Sequence, residues 1–291
     1  MDINGVIPPM VTPVEDRSGT IAIDELRQLT NRLVKNGVHG LFPCGTTGEF
    51  SSLSRSDRST IIQTVSNSAD SVPVLAGCGG TSRSEVLSLI DDAEKAGADA
   101  AVIVLPYYLP GSPEGFEEFY SNIADDSSLP IILYHIPSRT GQELPVATVQ
   151  ALAEHPAIHG IKDSSGDVGY LYELVRSTPE SFSVLQGGVI DSPTVFRLGI
   201  DGIVPGEANY MPSTLVNVYS SFVDNNDEAM MDALRSTIEI GRSFREIPLI
   251  PGIKYLTTYS GIDVGPSLPP LPTLNEEMKR ELRVRFDESM G

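Results

Sequence analysis

The sequence predicts an α/β protein, a (β/α)8 TIM barrel carrying a C-terminal helical extension. Three observations predict it: eight short apolar runs between residues 5 and 204, a helix-patterned segment after each run, and connecting loops rich in Gly, Pro, Ser and Thr. Runs that are apolar throughout, rather than alternating, suit parallel strands covered on both faces. An eightfold strand–helix alternation reads as a closed barrel. A doubly wound open sheet is the main competitor, but no glycine-rich dinucleotide fingerprint follows the first run.

The apolar runs lie at 5–11, 38–42, 72–76, 100–105, 130–134, 158–161, 182–185 and 202–204. Helical periodicity fills 23–36, 54–69, 82–96, 113–124, 145–154, 168–177, 192–198 and 212–223. Ser54 with Asp57, and Ser82 with Glu85, have capping-box spacing, in which the hydroxyl accepts from an orphan backbone N–H. Gly37 and Gly97 follow the first and third helices, where a left-handed residue closes the last turn. Past residue 223 the alternation stops, giving way to a helical stretch at 226–259, a Pro-rich link at 265–272 and a charged helix at 275–289. The chain is therefore expected to divide into a barrel, 1–223, and a helical extension, 224–291.

Acidic residues outnumber basic ones by 39 to 20, for a net charge of -19. Such a chain repels nucleic acid and anionic membrane, which excludes both as partners. No apolar run approaches the ~20 residues of a membrane span, and no basic segment precedes an apolar one at the N-terminus. A cytoplasmic protein is expected. Concentrated salt, where the Debye length falls to ~3 Å at 1 M, tolerates this self-repulsion, so a salt-rich cytoplasm is a further expectation. Cys44 and Cys78 end neighbouring strand runs and are expected as reduced thiols. Neither they nor His39, His135, His155 and His159 have zinc-ligand spacing, so no metal is expected.

In a barrel of this kind the side chains after each strand converge on one mouth. After the second run stands Gly45-Thr46-Thr47-Gly48-Glu49, with two hydroxyls and a backbone nest suited to a carboxylate. Pro106-Tyr107-Tyr108 follows the fourth run; the fifth ends in Tyr134 and leads to Pro137-Ser138-Arg139-Thr140-Gly141. The sixth ends in Lys162, one of only five lysines in the chain. Gly187-Gly188 and Val204-Pro205-Gly206 follow the last two. Burial disfavours a charged amine, and a strand-end lysine is suited to attack a ketone. The plainer alternative is a lysine paired with Asp163 or Asp167. Likewise the tyrosines could be amphipathic core residues and Arg139 a surface ion pair. Gathered at one mouth, these residues give a nucleophile, phenolic acid/base groups, an anion nest and an arginine.

The chain resembles the dihydrodipicolinate synthase and N-acetylneuraminate lyase family of class I aldolases from Gly5 to about Leu271. The resemblance is carried by Pro9-Met10-Val11-Thr12-Pro13, Gly45-Thr46-Thr47-Gly48-Glu49, Ala76-Gly77-Cys78-Gly79, Pro106-Tyr107-Tyr108, Tyr134-His135-Ile136-Pro137-Ser138-Arg139-Thr140-Gly141 and Gly160-Ile161-Lys162-Asp163. It implies that Lys162 forms an imine with pyruvate or another 2-keto acid and that Thr46 and Thr47 hold the carboxylate. By the same resemblance Tyr134 is the general acid/base, relayed through Thr46 to Tyr108 of a neighbouring subunit, while Gly187 and Val204 line the imine site. A homotetramer, as a dimer of dimers, and a reaction needing no cofactor beyond the imine are also implied.

The substrate beside the keto acid divides the branches. Arg139 resembles the synthases, where it would meet the carboxylate of aspartate semialdehyde. Thr81 stands where synthases carry Asn, Phe50 where a small polar residue is usual, and Gly206-Glu207-Ala208-Asn209-Tyr210 resembles the sugar-acid aldolases. Reversible cleavage of a 2-keto-3-deoxy sugar acid, such as 2-keto-3-deoxygluconate, to pyruvate and an aldehyde is the first expectation. Dihydrodipicolinate synthase is the second. A keto-acid dehydratase using the same imine, or a barrel that binds 2-keto acids without turnover, completes the alternatives.

Overall fold

The structure is a computed structural model that describes Met1 and residues 3–290. Seven parallel strands form one curled sheet in the order β1-β7-β6-β5-β4-β3-β2. They are β1 (Gly5–Val6), β2 (Leu75–Gly77), β3 (Ala100–Val104), β4 (Ile131–His135), β5 (Ile158–Asp163), β6 (Ser183–Gln186) and β7 (Gly202–Ile203). The run at 38–42 is not a regular strand, yet it closes the circle. Phe42 bridges Pro9 on one side and Leu41 bridges Val74 on the other, both in parallel. Phe42 N–H donates to the Pro8 carbonyl, and the N–H groups of Leu75 and Gly77 donate to Leu41 and Pro43. Pro8, Pro9, Pro43 and Pro73 have no N–H to give, so the ladder here is sparse although the backbone follows the barrel.

Helices follow in the expected places: α1 (Ile23–Lys35), α2 (Arg55–Ser66), α3 (Arg83–Lys95) and α4 (Pro113–Asp126), then the single turn α5 (Pro137–Thr140). Next come α6 (Val146–Ala153), α7 (Val168–Ser177), α8 (Ser192–Leu198) and α9 (Pro212–Val223). Ser54 and Asp57 form a complete capping box on α2. The second candidate is half of one: Ser82 Oγ accepts from Glu85 N–H, but the Glu85 carboxylate turns to the N–H of Thr81. Gly37 and Gly97 do close their helices at positive φ, 79° and 89°. The helical stretch expected at 226–259 is broken into α10 (Asp227–Gly241), a 3-10 turn and α11 (Leu249–Tyr259). Pro248, which cannot donate to a preceding turn, sits at the start of α11. The last helix is α12 (Glu276–Met290).

Strand alternation separates two apolar layers. Ile7, Phe42, Leu75, Val102, Ile132, Tyr134, Leu185 and Val204 fill the barrel interior, while residues such as Leu41, Ile103, Leu133 and Ile161 face the helices. Among the described residues no helix is long and apolar enough to cross a membrane.

Candidate active site

Strand register places Tyr134 of β4, Lys162 of β5 and Leu185 of β6 side by side, all on the inward face. Lys162 is 5% exposed. Its Nζ lies 4.1 Å from the centre of the Tyr134 ring and 5.0 Å from that of Phe42. Neither aspartate proposed as its plain partner is available for that role. Asp163, on the opposite face of β5, accepts from Ser165 and lies 2.7 Å from His135 Nδ1. Asp167 caps α7, accepting from Gly169 and Tyr170 N–H. The Tyr134 hydroxyl is 3.2 Å from Thr46 Oγ1. Three of the residues singled out in the sequence, Lys162, Tyr134 and Thr46, therefore form one cluster at the C-terminal end of the barrel.

Thr46 and the half-buried Thr47 sit in a turn closed by two backbone bonds, Glu49 N–H to Thr46 O and Phe50 N–H to Gly45 O. Glu49 takes the left-handed conformation, φ 59°, which costs a residue with a Cβ about 1–2 kcal/mol. Its carboxylate is buried and fully engaged. Oε1 accepts from Lys254 Nζ at 3.0 Å and Oε2 from Leu268 N–H at 2.6 Å. Lys254, 1% exposed, also donates to the Thr12 carbonyl at 2.9 Å. Burial pulls the Lys254 ammonium below its ordinary value while Glu49 opposes the shift. Beneath the turn, Gly77 is required: a Cβ there would stand 1.9 Å from the Cys44 carbonyl oxygen.

A cavity of about 270 Å³ opens beside this turn, lined among others by Thr46, Phe50, Tyr107, Arg139, Ile250 and Leu271. Arg139, exposed on α5, thus shares a space with Thr46. Phe50 forms one wall, edge-on to Tyr107 and backed by the Arg58 guanidinium. Ile250 and Leu271 come from the extension, so the barrel alone does not complete this space. Val204 is buried in the barrel interior, and its N–H donates to Gln186 O at 2.7 Å. Gly187 N–H donates to Asp163 O at 2.6 Å, and a Cβ on Gly187 would lie 1.8 Å from Ser164 Oγ. Tyr108 stays apart from the Lys162 cluster, 92% exposed and at φ 81°.

Two residues that depart from the synthase pattern have structural contacts. The buried Asn209, in the stretch resembling the sugar-acid aldolases, accepts from Val11 N–H and donates to the Pro9 and Gly206 carbonyls, and the exposed Thr81 gives its N–H to Glu85 Oε2 before α3. Sequence reasoning passed over Lys254, Phe42 and His135. Lys254 left a signal, a lone lysine between Ile253 and Leu256 on an apolar helix. Fully buried His135 has Nε2 2.9 Å from Glu143 Oε2 in addition to its Asp163 contact. Cys44 and Cys78 are free and buried, and burial pushes the Cys44 thiol up to about 12.

A closed (β/α)8 barrel that gathers lysine, tyrosine and threonine at the C-terminal ends of its strands has the layout of a TIM-barrel enzyme. A family model described as the dihydrodipicolinate synthetase family matches residues 2–288. The chain belongs to that family and is a lyase of it. A 4-hydroxy-tetrahydrodipicolinate synthase of Methanopyrus kandleri is 36% identical over 286 residues, covering 97% of this chain and 94% of the relative. A DapA-like lyase of Halobacterium salinarum is 34% identical over 284 residues, covering 97% and 92%. Among solved structures, a prophage protein of the dihydrodipicolinic acid synthase family from E. coli K12, in complex with pyruvate, superposes with TM-score 0.94. It is 31% identical and covers 99% of this chain and 98% of its own. A dihydrodipicolinate synthase from Bacillus anthracis gives TM-score 0.94 at 28% identity, covering 99% and 98%.

Proposed function

We propose that this lyase works through a Schiff base on Lys162. The observation that carries the reading is the inward cluster of Lys162, Tyr134 and Thr46, in which the amine lies over an aromatic ring whose hydroxyl meets Thr46. The Lys162 amine adds to the ketone carbon of a 2-keto acid and water leaves, giving a protonated imine. That imine is an electron sink, so the reaction takes no further cofactor. Backbone N–H groups of the 45–48 turn, with the Thr46 and Thr47 hydroxyls, hold the keto acid's carboxylate. Gly187 and the Val204 carbonyl border the imine. Tyr134 moves the protons, and Thr46 passes them toward Tyr108 of a second subunit. A solvent-exposed tyrosine in a strained backbone suits a residue completed by a partner, and the assembly proposed is a homotetramer built as a dimer of dimers.

For the rest of the substrate we favour a 2-keto-3-deoxy sugar acid such as 2-keto-3-deoxygluconate. Removal of its C4 hydroxyl proton by Tyr134 breaks the C3–C4 bond, releases an aldehyde and leaves an enamine. Protonation at C3 and hydrolysis then return pyruvate and Lys162. The cavity supports this reading with hydroxyl-bearing Thr46, Ser51 and Ser52, Arg139 and the apolar Phe50 all in its lining. Condensation of pyruvate with aspartate semialdehyde is the second reading, favoured by an arginine placed to grip a carboxylate and by the names of the synthase relatives. The acidic balance also supports work in concentrated salt within a cytoplasm.

Borohydride reduction with pyruvate tests the chemistry: mass is expected on Lys162, and none in Lys162→Ala. Trapping that persists in that variant overturns the mechanism. Assays of 2-keto-3-deoxygluconate cleavage and of aspartate-semialdehyde condensation, each in dilute and molar salt, test the substrate. Activity with the semialdehyde alone overturns the first reading, and equal activity and stability at both salt levels overturns the salt expectation.

A further inference from the structure

We propose that the buried Glu49–Lys254 pair is a positioning device, with which the C-terminal extension sets the backbone turn that presents Thr46. The inference rests on the Schiff-base reading, since Thr46 matters here as the group that meets the keto acid and Tyr134.

Glu49 carries a Cβ in the left-handed region. Such a conformation persists where the surroundings over-determine it. Here they do so from three parts of the chain. Lys254 on α11 holds Oε1, and Leu268 in the Pro-rich link holds Oε2. Lys254 also takes the Thr12 carbonyl, while the Thr12 hydroxyl donates to the Gly48 carbonyl at 2.7 Å. The Glu49 N–H, in turn, closes on the Thr46 carbonyl at 3.1 Å. Each tie therefore ends on the 45–49 turn or one bond from it.

Holding the extension onto the barrel does not by itself call for charges. Two apolar side chains of similar volume bury as well or better, because an ion pair gives up its hydration. What a lysine and a glutamate add is direction: three polar contacts from their side chains, to each other, to Leu268 N–H and to the Thr12 carbonyl, that fix one backbone geometry. Thr46 then meets Tyr134 only if that geometry holds, and a displacement of ~1 Å at such a group can cost about 100-fold in rate.

The test uses the full chain with three variants, Glu49→Met/Lys254→Met together, Glu49→Gln alone, and Thr46→Val as a comparator. Thermal melting is measured beside borohydride trapping across a pyruvate titration and steady-state turnover. The double variant is expected to melt close to the wild type, yet to need about tenfold more pyruvate for half-maximal trapping and to lose up to about 100-fold in kcat, in the pattern of Thr46→Val. Wild-type pyruvate dependence and kcat in a folded double variant overturn the proposal. If the double variant does not fold, Glu49→Gln decides. It keeps the shape and the Leu268 contact but loses the charge, and an unchanged pyruvate titration with unchanged kcat overturns the proposal equally. Absence of trapping in the wild type would instead strike the Schiff-base reading, and this inference with it.

Discussion

Two lysines lie buried in this molecule, and their surroundings differ in kind. Lys162 ends a barrel strand with its amine over the rings of Tyr134 and Phe42, while the aspartates nearest in sequence are held by His135, Ser165 and the cap of α7. Lys254 sits on an outer helix with its ammonium between the Glu49 carboxylate and the Thr12 carbonyl. Burial alone therefore does not mark a reactive amine. The partners separate the two: one amine is locked to a carboxylate and a carbonyl, whereas the other lies on aromatic faces at the mouth of the barrel, the setting that the proposed Schiff-base chemistry needs.

The sharpest way to break this comparison is to exchange the roles in the trapping experiment. Lys162→Ala should lose at least about 10⁴-fold in kcat, the scale of losing a nucleophile, whereas Lys254→Met should still be labelled at position 162. Label on Lys254 in the wild type or in Lys162→Ala would dissolve the distinction. Next in size, Tyr134→Phe should cost about 10²–10⁴-fold in kcat, the usual share of a general acid/base, with imine still trapped; steady-state rates beside mass analysis check this.

Stability should move the opposite way from activity. Lys254→Ala leaves a buried carboxylate unpaired and should destabilise the fold by about 3–5 kcal/mol, read from denaturant midpoints. Lys162→Met, which strips no carboxylate of its partner, should change stability by no more than about 1 kcal/mol. Equal losses from the two would show that burial, not partnership, sets the cost.

The smallest effect extends the comparison to the thiols. Burial raises Cys44 from 9.0 to about 12, so the folded chain keeps its proton where the unfolded chain would ionise. The stability this contributes is fully present below pH 9 and is lost as pH rises toward 12. Thiol reagents at neutral pH should label neither Cys44 nor Cys78 until the protein is unfolded. Rapid labelling of the native protein would contradict the packing around the 38–42 stave and β2, which Cys44 and Cys78 follow.

Much of this was legible before any coordinates. Period and punctuation located the helices, since apolar spacing, capping residues and closing glycines act within a few residues of one another. The same locality explains the misses. The 226–259 stretch keeps a helical pattern across a break that Pro248 imposes, and the Glu85 carboxylate accepts from Thr81 N–H, one residue before the position its capping-box spacing predicts. The run at 38–42 is a stave of the barrel that prolines keep from forming a full ladder. Lys162, Tyr134, Thr46 and Arg139 could be named because each stands just past an apolar run, where a barrel turns its side chains to one mouth.

The sequence by itself determined the barrel and its strand-end lysine, because those follow from local pattern and from a topology that leaves few choices. Only the tertiary structure decided which lysine lies against aromatic rings and which is tied to a carboxylate. Glu49 and Lys254 are 205 residues apart, Thr46 and Tyr134 are 88, and no local rule spans such distances. What joins them is closure of the barrel and the return of the extension across its mouth, which brings charges and hydroxyls from remote segments within hydrogen-bond reach, where each must find a partner once water has gone.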